Sequence, residues 1–270
     1  MTDPLFTVLA DGRLQPNGPS RGPWSEHALH GGPVAAAIVR AAEACLRETG
    51  AAAVDPVRLT IDLERPVPLA PLRFEASIIR PGRKVQVAQV CVFDGNDRRL
   101  VRATVLAIRR LALDLPADLH APDDRQPPPP TEAVDGPLWD PLPGIEAFHS
   151  HGVEHRFVRG AMVRPGPVTD WIRLAVPVVA GEEPSPFQRV VAAADFANGV
   201  SAVLAFGEWT FINPDLTVAI HRLPVGEWVA IDAATRVDAS GVATAEAELF
   251  DERGRIGRAI QTLIVEPAGR

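Results

Sequence analysis

The sequence predicts an α+β fold made of two copies of one unit, each a curved antiparallel sheet wrapped around a single helix. Three observations lead there. Residues 57–109 and 214–265 carry the same landmarks in the same order: Leu59-Thr60 and Leu216-Thr217, Arg65 and Arg222, Asp94 and Asp251 all stand 157 residues apart. After the following turn the second copy is one residue shorter, so Arg102-Ala103 and Arg258-Ala259 stand 156 apart. Each copy also alternates apolar and polar residues in short runs divided by Gly, Pro and Asp, the pattern of an antiparallel meander. Finally, each copy follows an apolar, small-residue segment of helical length.

A chain of 270 residues can bury two cores of ordinary domain size, and the repeat favours two. Its 46% hydrophobic and 23% charged residues describe a folded globular protein. A formal charge of -7 gives no general attraction to nucleic acid. Cys45 and Cys91 are too few for a disulfide framework and lack metal-ligand spacing. The N-terminus has no basic start followed by a long apolar run, and no stretch reaches membrane-spanning length, so a cytoplasmic protein without a membrane span is expected.

Taken in order, residues 1–110 form the first expected domain. Leu5 to Leu9 is a short apolar segment, and the turn-rich stretch to Trp24 follows, with Trp24 read as a core or interface residue. His30-Gly31-Gly32-Pro33 introduces VAAAIVRAAEACLRET, a helix with Val34, Ile38, Ala41 or Ala42 and Cys45 on one broad face and Gly50 as its stop. Leu59, Ile61 and Leu63 alternate with Thr60, Asp62 and Glu64 as a half-buried strand, which Pro66, Pro68 and Pro71 end. Phe74–Ile79, Lys84–Phe93 and Leu100–Ile108 are three more strands, joined at Arg80-Pro81-Gly82-Arg83 and Asp94-Gly95-Asn96-Asp97.

Residues 111–144 are rich in proline, from Pro116 and Pro122 through Pro127–Pro130 to Pro143, and read as a stiffened connection running over the surface. The second domain, 145–270, opens with strands Val153–Arg159 and Trp171–Val176. A helix follows: Ser185 caps it, Pro186 takes its first position, Gln188 completes a capping box, and the run RVVAAADFANGVSAVLAF continues it. Trp209–Phe211, Leu216–Ile220, Trp228–Thr235, Ala243–Phe250 and Ile256–Val265 repeat the sheet.

The duplication supplies its own comparison. Gln261 stands where the first copy has Val105, on a strand face shared with Ala259, Leu263 and Val265 and otherwise suited to burial. A buried amide there needs partners. Asp195 interrupts an apolar helix whose counterpart, around Ile38, is uninterrupted; its carboxylate is exposed, paired with an arginine, or functional as a group that orients and deprotonates water. Asn213 and Thr217 flank Asp215 and complete a polar pocket or, equally, form a turn and cap. His149, His151 and His155 cluster beside the connection, but their spacing matches no standard ligand set, and no metal or other cofactor is expected.

His30-Gly31-Gly32 opening a small-residue helix, Arg65-Pro66, Arg80-Pro81-Gly82-Arg83, Ala194-Asp195-Phe196, His221-Arg222 and Gly257-Arg258-Ala259-Ile260-Gln261 together resemble the double-hotdog acyl-CoA thioesterases, closest to a bacterial thioesterase-like branch of the type II family. The resemblance covers nearly the whole chain except the proline-rich connection. It implies a tandem hotdog fold and a role in fatty-acid metabolism, with direct attack of water on an acyl-CoA thioester. The family's catalytic aspartate falls on Asp195 and its glutamine on Gln261. Its hydroxyl residue falls on Asn213, a departure, with Thr217 four residues on as a substitute hydroxyl. Arg80, Arg83, Lys84 and Arg159 are available for the coenzyme phosphates, and association into a homo-oligomer through the sheets is expected. Asn213 also favours a non-catalytic acyl-thioester or lipid-binding protein. A hotdog hydratase or dehydratase would need an Asp–His pair, and none is evident in the sequence.

Overall fold

A computed structural model of the chain describes residues 3–49, 54–116, 118–119 and 126–269; Gly50 and Pro122 lie outside the described residues. In the first half the elements are β1 (Phe6–Val8), β2 (Leu14–Pro16), α1 (Gly31–Glu48), β3 (Val54–Leu63), β4 (Arg73–Arg80), β5 (Val85–Phe93) and β6 (Arg99–Arg109). The second half holds β7 (Val153–Arg159), β8 (Val168–Leu174), α2 (Pro186–Ala194), α3 (Ala197–Val200), β9 (Trp209–Ile212), β10 (Asp215–Ile220), β11 (Val229–Val237), β12 (Val242–Asp251) and β13 (Gly254–Pro267).

The strands after β2 join one antiparallel sheet in the order β4-β5-β6-β3-β10-β13-β12-β11-β8-β7, with β9 pairing β13. The halves meet where β3 pairs β10, and there the repeat becomes geometry. Thr60 and Thr217, equivalent in the duplication, are directly opposite each other, with Leu59 facing Val218 and Ile61 facing Leu216. A pseudo-twofold axis therefore passes between the two threonines, and the sheet runs through both units of a tandem hotdog.

Both helices lie against the inner face of this sheet. Six consecutive residues of α1, Val34 to Val39, are at most 1% exposed, so burial extends around the helix rather than along one stripe. Small side chains permit this, because α1 is covered by α2 as well as by the sheet. A Cβ added at Gly32 would stand 2.7 Å from both Ala192 O and Phe148 Cε1, closer than real side chains approach. Gly32 thus sets the contact between the start of α1 and the end of α2.

The second helix departs from the sequence expectation. It stops at Ala194, Asp195 is its C-cap, and α3 forms a separate turn after it. The cause lies on β13. Gln261 Oε1 accepts the Asn198 N–H at 3.1 Å, and Gln261 Nε2 donates to the Asp195 carbonyl at 3.3 Å. An N–H and a C=O that would otherwise continue the helical ladder are taken by one side-chain amide, which holds the break open. Ser185 caps α2 as expected, accepting from Gln188 N at 3.1 Å, but the Gln188 side chain donates instead to Glu43 of α1 at 2.9 Å. The strand expected at Trp171–Val176 begins earlier, at Val168, because Val168–Ile172 is the run that pairs with β11.

Within the described part of 110–147 there is no helix or strand, and the chain lies against the outer strands of the second unit. Trp171 Nε1 donates to Pro128 O at 2.8 Å, and Val134 exchanges backbone hydrogen bonds with Phe157 of β7 at 3.0 and 2.7 Å. This covers part of an otherwise open sheet edge. No helix among the described residues is long and apolar enough to cross a membrane.

Candidate active site

The start of α1 and the break after α2 face each other across the two units, and four polar side chains converge there. His30 is the N-cap of α1, in extended conformation. Histidine is not among the favoured N-cap residues, so its presence ahead of two glycines is a signal that the cap position does more than cap. Its Nδ1 lies 2.8 Å from Asp195 Oδ2. Asp195 Oδ1 accepts from Asn213 Nδ2 and from Gln261 Nε2, each at 3.1 Å. Asp195 is only 4% exposed, and among the described residues no arginine pairs with it.

Because Oδ1 receives two amide donors, it carries no proton, and Oδ2 is left for the imidazole. The same Nδ1 lies 3.1 Å from Gly32 N. A ring nitrogen has one in-plane site, so Nδ1 either accepts the helix N–H or donates to Asp195. With the carboxylate ionised, donation is the stronger, charge-assisted choice. That places the lone pair of a neutral His30 on Nε2. Gly31 completes the contact, since a Cβ there would lie 2.7 and 2.8 Å from the two Asp195 carboxylate oxygens.

His30, Gly31, Asp195 and Asn213 line a cavity of about 440 Å³ walled by Trp24, Leu29, Val34, Leu63, Ile212 and Ile264, with Arg65 at its exposed rim. Size does not single it out, since depressions of about 460 and 490 Å³ lie elsewhere. Its convergent polar groups on an apolar wall do. Trp24 is half-exposed and packs against Trp139 of the connection as well as Phe206 and Phe211, while Trp139 stacks on Phe206 with centroids 4.2 Å apart. The connection therefore braces one wall.

A second polar cluster lies behind the first. His30 and His155 both contact the Phe196 ring, with centroids 4.6 and 4.9 Å away. His155 Nδ1 meets Asp170 Oδ2 at 2.5 Å in full burial. Burial pushes the Asp170 carboxyl up, against the opposing pull of His155. His149 is buried, and burial, with His30 and His155 nearby, lowers its pKa to about 4.

Asp195, Gln261 and Asn213 are thus brought together as the sequence suggested. Thr217 is not. On β10, Leu216, Val218 and Ile220 are buried on the helix side, so strand alternation turns Thr217 to the other face of the sheet, away from Asp195. Gln261 is fully buried beside Ala259 and Leu263, as expected, but its amide is consumed by Asn198 N and Asp195. It orients the carboxylate instead of reaching into the cavity. An Asp–His pair, not evident in the sequence, is present as His30–Asp195. Of the basic residues considered for phosphates, none lines this cavity; Arg159 is held by Asp232 at 2.6 Å, and Arg65 stands at the rim instead.

The matching end of the molecule shows what this site has gained. There the α2 cap, Ser185, meets a carboxylate of α1, Glu43, at 2.6 Å. Val105, fully buried, stands where Gln261 would be. Glu43 has no imidazole partner among the described residues, and burial pushes its carboxyl up.

Residues 117–265 match the family model for the acyl-CoA thioesterase C-terminal domain, and residues 20–108 match that for the acyl-CoA thioesterase N-terminal domain. The fold is similar to a provisionally assigned thioesterase II from Thermobifida fusca YX (TM-score 0.71, 18% identity, 97% of this chain and 95% of that one). It is equally similar to a hot dog fold protein of unknown function from Alicyclobacillus acidocaldarius (TM-score 0.71, 18% identity, 94% and 92%). An acyl-CoA thioesterase II from Mycobacterium marinum is also similar (TM-score 0.63, 12% identity, 88% and 91%). At these identities the structural likeness speaks for the fold. No curated protein matches the chain.

Proposed function

The chain belongs to the acyl-CoA thioesterase family, and on that premise we propose that it hydrolyses an acyl-CoA thioester to free acid and CoA by direct attack of water. The observation that carries this reading is the convergence of His30, Asn213 and Gln261 on Asp195 at the cavity floor.

The acyl chain lies along the apolar wall, with its carbonyl carbon over the Asp195–His30 pair. With Nδ1–H held on Asp195, His30 Nε2 takes a proton from water as the oxygen attacks, and the carboxylate stabilises the imidazolium that forms. Among the described residues Asn213 Oδ1 has only a 3.5 Å contact, from Asn198, and it serves as an acceptor for that water. The first N–H groups of α1 have no partner inside the helix and face developing negative charge on the carbonyl oxygen, where the helix dipole adds to them. Collapse of the tetrahedral intermediate breaks the C–S bond, and the imidazolium returns its proton to the departing thiolate. No covalent enzyme intermediate is needed.

Thiol release from short, medium and long acyl-CoAs tests the proposal. Saturable release from the intact protein, lowered about 10²–10⁴-fold in Asp195→Asn, supports it. No release across the panel from the folded protein overturns it. The His30–Asp195 pair also favours a second reading, hydration or dehydration at carbons 2 and 3 of an acyl thioester. Loss of enoyl absorbance without thiol release would select that reaction.

A further inference from the structure

The internal repeat shows that one arginine has been released from a structural pair. In the second unit Arg222 is locked: its terminal nitrogens meet the two Asp251 oxygens at 2.5 and 2.6 Å, and Nη2 also donates to Gly254 O at 2.9 Å. Asp251 is fully buried and takes the backbone N–H groups of Val225 and Arg253 as well. Arg65 and Asp94 hold the same places in the first unit. Yet Asp94 is occupied by Arg98, whose Nε and Nη2 lie 3.1 and 3.0 Å away.

The backbone shows why. Arg65 N–H reaches Leu100 O at 3.1 Å, whereas in the second unit the bond to the equivalent carbonyl, Ile256 O, comes from His221 at 2.9 Å. His221 precedes Arg222, so the first unit is one residue out of step at this point. The guanidinium is thereby carried from the Asp94 turn to the rim of the cavity above Asp195. Among the described residues nothing hydrogen-bonds or ion-pairs with it. Its neighbour Glu64 does not neutralise it, being held by Arg99 at 2.9 Å.

We propose that Arg65 binds a phosphate of the thiol carrier and makes this site selective for phosphate-bearing acyl thioesters. The inference rests on the hydrolytic reading for the identity of the substrate. A guanidinium on the rim of a cavity with an apolar wall meets the chemistry of such a ligand: the acyl thioester enters, and the charged part of its carrier stays at the mouth. The occupant is a free CoA thioester.

The test compares intact protein, Arg65→Gln and Arg65→Lys on acyl-CoA, acyl-phosphopantetheine and acyl-pantetheine bearing one acyl chain. Expected is a preference for the phosphate-bearing thioesters that narrows about tenfold or more in Arg65→Gln, through KM, and is partly restored in Arg65→Lys. The response of phosphopantetheine relative to CoA shows which phosphate is held. An unchanged preference in Arg65→Gln overturns the proposal. Calorimetric binding of CoA itself keeps the two readings separable. Weaker binding to Arg65→Gln with no hydrolysis of any thioester sinks hydrolysis and keeps the Arg65 site, while equal binding to both proteins sinks the Arg65 site whatever the activity.

Discussion

His30 Nδ1 stands 2.8 Å from Asp195 Oδ2, which ties the N-cap of one repeat's helix to the C-cap of the other's. Neither repeat holds this pair alone. The same nitrogen lies 3.1 Å from Gly32 N, so capping α1 and donating to Asp195 compete for one atom.

Replacing His30 by Asn separates the two roles. Asn is among the best N-cap residues, so the melting temperature should stay close to that of the intact protein. Thiol release should fall about 100-fold or more, because the amide cannot take a proton. Activity retained in a folded His30→Asn protein would mean that water loses its proton without the ring.

Gly31→Ala tests position without removing any polar group. Its Cβ would fall 2.7 and 2.8 Å from the Asp195 oxygens, which His30, Asn213 and Gln261 already hold from other sides. The carboxylate must shift, and kcat should drop at least about tenfold, since displacements well below 1 Å matter at such sites. Far-ultraviolet circular dichroism should be unchanged. Full activity would show that the carboxylate position is not critical.

The buried imidazole of His149 predicts sensitivity to acid. Its pKa is about 4 in the folded protein and 6.5 in an open chain, so between these values the unfolded state holds more protons. Stability is therefore lost as pH falls from 6.5 to about 4, by roughly 3 kcal/mol from this group. In His149→Phe that part of the loss should vanish, which urea unfolding at pH 7 and near pH 4.5 measures. Equal acid losses in both proteins would show that His149 titrates normally.

The residues themselves determined the repeat, most element positions and the buried face of Gln261, because turns and alternation of period two are local properties. The parity of β10 was equally legible: Leu216, Val218 and Ile220 already turn Thr217 to the other face. Asp195 was recognisable as an anomaly in an apolar run, but its partners were not. They come from the start of α1, the turn before β10 and the middle of β13, segments far apart in sequence that meet only when the units dock. The helix break was hidden for the same reason, since helix propensity cannot register an amide arriving from another strand to take Asn198 N–H. Only the tertiary structure decided that His30 joins the site and that Arg65 leaves Asp94 for the cavity rim. Each depends on a side chain finding a partner, or losing one, across a contact that no local pattern specifies.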